Sequence, residues 1–138
     1  MPTEIMLRLT IADPVAGVLY SLQDAKSVPV EPRTAGEAPL SFYVPVSLSD
    51  DGRFTGRFVR REGPERRFVY IAMGQGAGDH DTPVSRRAKI DIHDIPTALL
   101  DEARLGAILG VTLPGRARDG GPACATVRPL TPWSAISR

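Results

Sequence analysis

One cysteine, two histidines and one tryptophan are all this chain holds of the side chains that most often advertise a chemistry. Cys124 alone excludes an intrachain disulfide and a cysteine-built metal site. A lone thiol suits a reducing compartment, and Cys124 stands in an apolar strand pattern with no polarising neighbour, which reads as a buried, inert thiol. With only His80 and His93, a histidine-rich site is impossible. Asp79-His80-Asp81 looks like a set of metal ligands in miniature, but consecutive residues point apart, and neither calcium-loop nor zinc spacing is present. There is no Gly-x-Ser-x-Gly elbow and no convincing Ser/His/Asp set. No metal and no cofactor is expected.

Long apolar runs are missing too. None approaches the roughly 18 residues of a membrane-spanning helix. Met1-Pro2-Thr3-Glu4 has neither the basic start nor the apolar stretch of a signal peptide. The expectation is a soluble, cytoplasmic, bacterial-type protein without a membrane partner. A net charge of +1 gives no global electrostatic case for nucleic acid.

What is abundant is punctuation. Thirteen glycines and thirteen prolines lie between short apolar runs, which favours a turn-rich β fold. With 138 residues the chain fits one domain, residues 1–138, with a core that needs no staples. Ile5, Leu7, Leu9 and Ile11 alternate with more polar residues and predict a strand that stops at Asp13-Pro14. Val18–Gln23 predicts a second. Residues 24–39, rich in proline, read as a long loop with an edge strand around Val28 to Val30. Phe42, Val44, Val46 and Leu48 alternate, and Pro45 among them demands an edge or a bulge. Asp51-Gly52 is a hairpin signal, after which Phe54 to Val59 is expected to pair back.

Phe68–Met73 and Ser85–Ile92 predict two strands joined by a Gly-rich connection. Thr97–Leu105 is the one helix, with Pro96 at its start, Asp94 or Thr97 as cap, and Gly106 just past its end. Leu109, Val111 and Leu113 make a strand that a hairpin returns through Ala123–Val127. The predicted fold class is mainly β: an antiparallel barrel or sandwich of about eight short strands with one helix near residues 97–105.

Arg86 shares a strand face with Ala88, Ile90 and Ile92. A charge at the core side of a strand end must pair, snorkel, or meet a ligand at a rim. Gly74-Gln75-Gly76-Ala77-Gly78 follows a strand as a phosphate loop would, but no helix N-terminus follows it, so a dinucleotide site is excluded and a mobile connection remains. Fifteen of the 17 basic residues are arginine, the side chain suited to carboxylate or phosphate, although base composition of the gene explains such a bias equally. Arg53, Arg57, Arg60, Arg61, Arg66 and Arg67 surround one hairpin with only Glu62 and Glu65 as offsets. They read as a solvated basic face, or as a surface for an acidic partner or nucleic acid, for which exposed stacking aromatics would be expected.

Several further pieces stand in a particular order: Phe54-Thr55-Gly56, Arg67-Phe68-Val69-Tyr70-Ile71 leading to Gly74, Arg86-Arg87-Ala88-Lys89, Ile95-Pro96, Gly110, Leu113, Pro122 to Cys124, Val127-Arg128-Pro129 and Trp133. Over residues 53–133 this resembles a family of small bacterial proteins, domain of unknown function 5990. The chain departs from that pattern at Met73, where Trp is expected, and at Val84-Ser85, where Met-Phe is expected. The resemblance implies strands, then a helix, then a final hairpin, and carries no catalytic residue.

The leading functional expectation is a non-enzymatic binding module for a small anionic or carboxylate-bearing ligand on a β-barrel rim. Arg86, Arg128, Gly74, Gly76 and His80 are its candidate ligand-facing residues. The alternatives are a small acid–base lyase, isomerase or cyclase using His93, Asp91 and Tyr70 in a barrel cavity, and a homo-oligomeric or partner-binding subunit using the Pro45 edge and the Trp133 tail.

Overall fold

Two sets of alternating apolar residues, each covering the other, organise the molecule. The computed structural model describes residues 2–75, 84–115 and 124–136, with the side chains of 75, 84–86, 124 and 125 outside that description. Strand β1 (Thr3–Ile11) buries Ile5, Leu7, Leu9 and Ile11, and β4 (Leu40–Leu48) buries Phe42, Val44, Val46 and Leu48. The two strands pair antiparallel from Thr3↔Leu48 to Ile11↔Leu40, so the buried positions oppose one another, as in Leu7↔Val44 and Leu9↔Phe42. A one-residue slip would turn every one of these side chains to the wrong face.

The first sheet runs β10-β8-β1-β4-β5, with β8 at Ile108–Leu113, β10 at Ser134–Ile136 and the two-residue β5 at Phe54–Thr55. The second runs β3-β2-β6-β7-β9, from Pro29–Thr34, Val18–Gln23, Phe68–Gln75, Val84–Asp91 and Cys124–Thr126. Tyr20, Leu22, Val69, Ile71 and Ile90 of the second sheet join the buried residues of the first in one core cluster. The architecture is therefore mainly β, two packed five-stranded sheets rather than a closed barrel. Helix α1 (Thr97–Arg104) packs against β1, β8 and β10. Among the described residues no helix is long and apolar enough to cross a membrane.

The helix matches its sequence signals. The Pro96 carbonyl accepts from the Leu99 and Leu100 amides, and Gly106, at φ 108°, takes the left-handed conformation just past the end. Neither Asp94 nor Thr97 supplies a side-chain cap.

Four expectations need correction. The sheets are not wholly antiparallel, because β8 runs parallel to β1 and β9 parallel to β7. The final hairpin does not form: β8 lies between β1 and β10, so β9 crosses to the other sheet. The strand from Phe54 ends after Thr55, where Gly56 (φ 145°) breaks the extended path, and the consecutive residues Phe58 and Val59 both enter the core. Trp133 is a core member at 7% exposure rather than a surface for partners.

Residues 24–39 hold more strand than expected. Pro29–Thr34 pairs with β2 through a register shift between Tyr20 and Leu22, and its prolines are tolerated because β3 is an edge. Pro45 obeys the same rule. The β1–β4 register passes it without a bulge, and β5 covers only Ser47 and Leu48 on the far side.

Candidate anion-binding cleft

Arg53 precedes β5 and five more arginines lie between β5 and β6, and the anchors of this stretch decide where they point. Before it, the Ser49 hydroxyl accepts from the Arg53 amide at 3.0 Å, and the Asp51 carboxylate accepts from the same amide at 3.2 Å. The Ser49 hydroxyl bond and the Arg53 amide hold the Asp51 carboxyl below its ordinary range. Phe58 and Val59 then pin the middle of the segment in the core. At its end Gly63, at φ 76°, turns the chain into a 3-10 helix, Pro64–Arg67, that feeds β6.

Arg60 is the most constrained cation of the group. Its guanidinium lies 4.6 Å from the centroid of the buried Tyr70 ring, and its Nη2 donates to the Ser27 hydroxyl at 2.7 Å. Its Nε is inaccessible and has no partner. Ser27 is itself held. It sits at φ 66° in the β2–β3 turn, where the Asp24 carboxylate accepts from the Lys26 and Val28 amides at 2.8 and 2.9 Å. The Ala25 amide donates to the Arg57 carbonyl at 2.8 Å, docking turn and segment together.

These anchors leave an open cleft of about 350 Å³ lined by Arg53, Arg60, Arg61 and Arg66, with the buried Phe54 and Val59 among its apolar residues. Among the described residues, none of the four arginines meets a carboxylate within ion-pair distance, whereas Arg67, which does not line the cleft, pairs with Asp91. Gathered cations without counter-charges in a concave site raise the local concentration of anions. Planar guanidinium forks match carboxylate and phosphate oxygens.

The Asp24 turn gives this geometry an acid limit. The Val28 amide bond, aided by that of Lys26, lowers the Asp24 pKa below 3.8. A depressed carboxylate contributes stability that is present above the unfolded value and is lost as pH falls through the folded one. Hydrogen-exchange protection of the Val28 amide should therefore persist at pH 3.8 and fall away only below it. A midpoint at or above 3.8 would show that the carboxylate does not organise the turn.

The residues expected to form a rim are distributed differently. Gly74 lies in β6 opposite Val84, and Arg86 in β7 opposite Met73. Gly76, His80 and the Arg86 side chain lie outside the described residues. Arg128 is exposed in the segment after β9. The parallel register runs from Arg87↔Cys124 to Lys89↔Thr126, so Arg128 follows β9 beyond Lys89, while Arg86 precedes the paired stretch. The backbone therefore anchors these two arginines toward opposite ends of β7.

The acid–base candidates are committed elsewhere. Asp91 accepts from Arg67 Nε at 3.0 Å and from the His93 amide at 2.9 Å, which caps a short 3-10 turn. His93 is exposed, its ring 5.5 Å from that of Phe54, and Tyr70 lies beneath Arg60. The void between the sheets lined by Tyr20, Ile71 and Leu113 measures about 10 Å³, room for a water at most.

The arginines of the cleft were visible in the sequence as a charge cluster on a hairpin. Their convergence was not, because strand alternation spreads them over a solvated face. The signal available was Gly56 followed by two consecutive apolar residues, Phe58 and Val59, a break in period 2.

A family model described as a family of unknown function (DUF5990) matches residues 5–136. Comparison with curated proteins and with solved structures finds no match. The match spans both sheets, the helix and the arginine cleft, and the chain belongs to this family of unknown function, DUF5990.

Proposed function

We propose that the protein is a non-enzymatic binding module for a small anionic ligand, held in the cleft between β5 and β6. The observation that carries this reading is the gathering of Arg53, Arg60, Arg61 and Arg66 around about 350 Å³ with no carboxylate within ion-pair distance of them among the described residues. A solvated basic face would leave its guanidinium groups splayed. Here one of them is stacked on Tyr70, bonded to Ser27 and fixed before any ligand arrives. Preorganisation of that kind lowers the ordering cost of binding. A bacterial cytoplasm is the setting proposed, in keeping with a single cysteine.

The test is a thermal-shift comparison of wild type with the triple variant R53Q/R61Q/R66Q against orthophosphate, pyrophosphate and citrate. A ligand at about a hundred times its dissociation constant stabilises by about 2.7 kcal/mol, several degrees for a chain of this size. Wild type should shift with at least one anion, and the triple variant should not. A wild type indifferent to all of them, or a triple variant that responds equally, would refute the reading.

A further inference from the structure

We infer that the ligand of this cleft is a compact polyanion, carrying three or more negative charges on clustered oxyanion groups, rather than a monocarboxylate or a nucleotide recognised through its base. This rests on the reading of the cleft as an anion site. Three observations carry it further.

The first is the charge count. Four guanidinium groups line about 350 Å³, and among the described residues no carboxylate stands within ion-pair distance of any of them. Cations confined to that volume lie within about a Debye length of one another, roughly 8 Å at physiological salt, so their repulsion is only partly screened. A single carboxylate or monoester engages one or two forks and leaves the others facing each other. A chain of phosphates, or a tricarboxylate, engages all of them.

The second is the character of the apolar lining. Val59 is 2% exposed and Phe54 6%, and the Phe54 ring already packs against His93. No broad aromatic face is open for a base to stack on. Asn, Gln, Asp and Glu are absent from the lining, which offers Thr55 as its one hydroxyl, so the only side chains there that could reach a base edge are the arginines that the oxyanion groups themselves engage. Such a lining excludes water without selecting an organic group.

The third is the division of labour among the arginines. Arg60 is half-buried and locked by Tyr70 and Ser27, whereas Arg53 and Arg61 are exposed. A rigid fork at depth with flexible forks around it suits a ligand with one oxyanion group at depth and others toward the mouth.

Calorimetric titration in the presence of EDTA tests this with orthophosphate, pyrophosphate, tripolyphosphate, citrate and a nucleoside triphosphate, on wild type, R60Q, R53Q/R61Q and the control R33Q. Arg33 lies over Phe42 beside Glu31, away from the cleft. Affinity should rise about tenfold with each added phosphate group, and more steeply at low salt. The nucleoside should add less than about threefold to its triphosphate, since no base contact is made. R60Q and R53Q/R61Q should flatten the series, and R33Q should leave it intact. Tight tripolyphosphate with weak citrate identifies a polyphosphate, and tight citrate a tricarboxylate; either supports the inference. Orthophosphate binding as well as tripolyphosphate, or a base adding more than about tenfold, would overturn the inference while leaving an anion site standing. Absence of binding by every anion would remove the anion site itself.

Discussion

Gly115→Ala should lower the melting temperature by about 10 °C, the equivalent of about 3 kcal/mol for a domain of this size. The cause is a close approach of two backbones. A Cβ at Gly115 would overlap the Asp13 carbonyl and come within 3.1 Å of Pro14 Cα. Backbone cannot rotate aside as a side chain does, so the 12–15 segment must move as a unit. That segment is held by the Ala12 amide, which donates to the Leu113 carbonyl at 3.1 Å. It is held again by Tyr20, whose buried hydroxyl donates to the Gly115 carbonyl at 2.8 Å and accepts from the Val15 amide at 2.9 Å. Overpacking costs about 1–3 kcal/mol, and each buried polar group left unpaired about 1–3 kcal/mol. Tyr20→Phe removes the hydroxyl bonds without the overlap, so it should fall between wild type and Gly115→Ala. Chemical denaturation of the three proteins measures the order. A Gly115→Ala protein melting within about 2 °C of wild type would mean that the two segments separate freely.

Arg60→Gln should lose about 10–100-fold in affinity for tripolyphosphate while the protein remains folded. A hydrogen bond to a charged group contributes about 1.5–3 kcal/mol, which sets that range. The cost to stability is smaller. The substitution removes a stack over Tyr70, about 0.5–2 kcal/mol, and one bond to Ser27. Against this it removes an inaccessible Nε that has no partner. Arg60→Lys separates charge from shape. A lysine keeps the cation but has neither the planar fork nor the flat contact with the ring, so it should recover only a small part of the lost affinity. Ser27→Ala, which frees the guanidinium without deleting it, should produce a milder loss. Calorimetry together with a melting curve for each variant distinguishes these effects. Wild-type affinity in Arg60→Gln would show that the deep arginine does not organise the cleft.

The strands were legible wherever burial follows a local period. Ile5 to Ile11, Phe42 to Leu48 and Leu109 to Leu113 alternate because each strand meets the core on one face only. The helix was legible because Pro96 and Gly106 act on the backbone within a turn of themselves. Pro45 announced an edge for an equally local reason, the missing donor on one residue. Phe58 and Trp133 were harder, because their burial depends on what passes over them rather than on their neighbours in the chain. Arg60 was harder still. Its partners Ser27 and Tyr70 lie 33 and 10 residues away, and nothing near Arg60 in the chain points to either.

From the sequence alone came the class of fold, the family, the absence of familiar catalytic or metal-binding motifs, and an excess of arginine on one stretch of chain. The family came from a resemblance in the order of pieces over residues 53–133; the rest follow from residue type and from spacing over a few residues. Tertiary structure alone decided that β9 leaves β8 for β7, that the sheets pack as a sandwich, and that the arginines of residues 53–66 close on one cleft while Arg86 and Arg128 are anchored apart. The physical reason is the same in each case. Strand partners and clefts are chosen by contacts between segments far apart in the chain, where the energy of burying one surface against another outweighs any local preference.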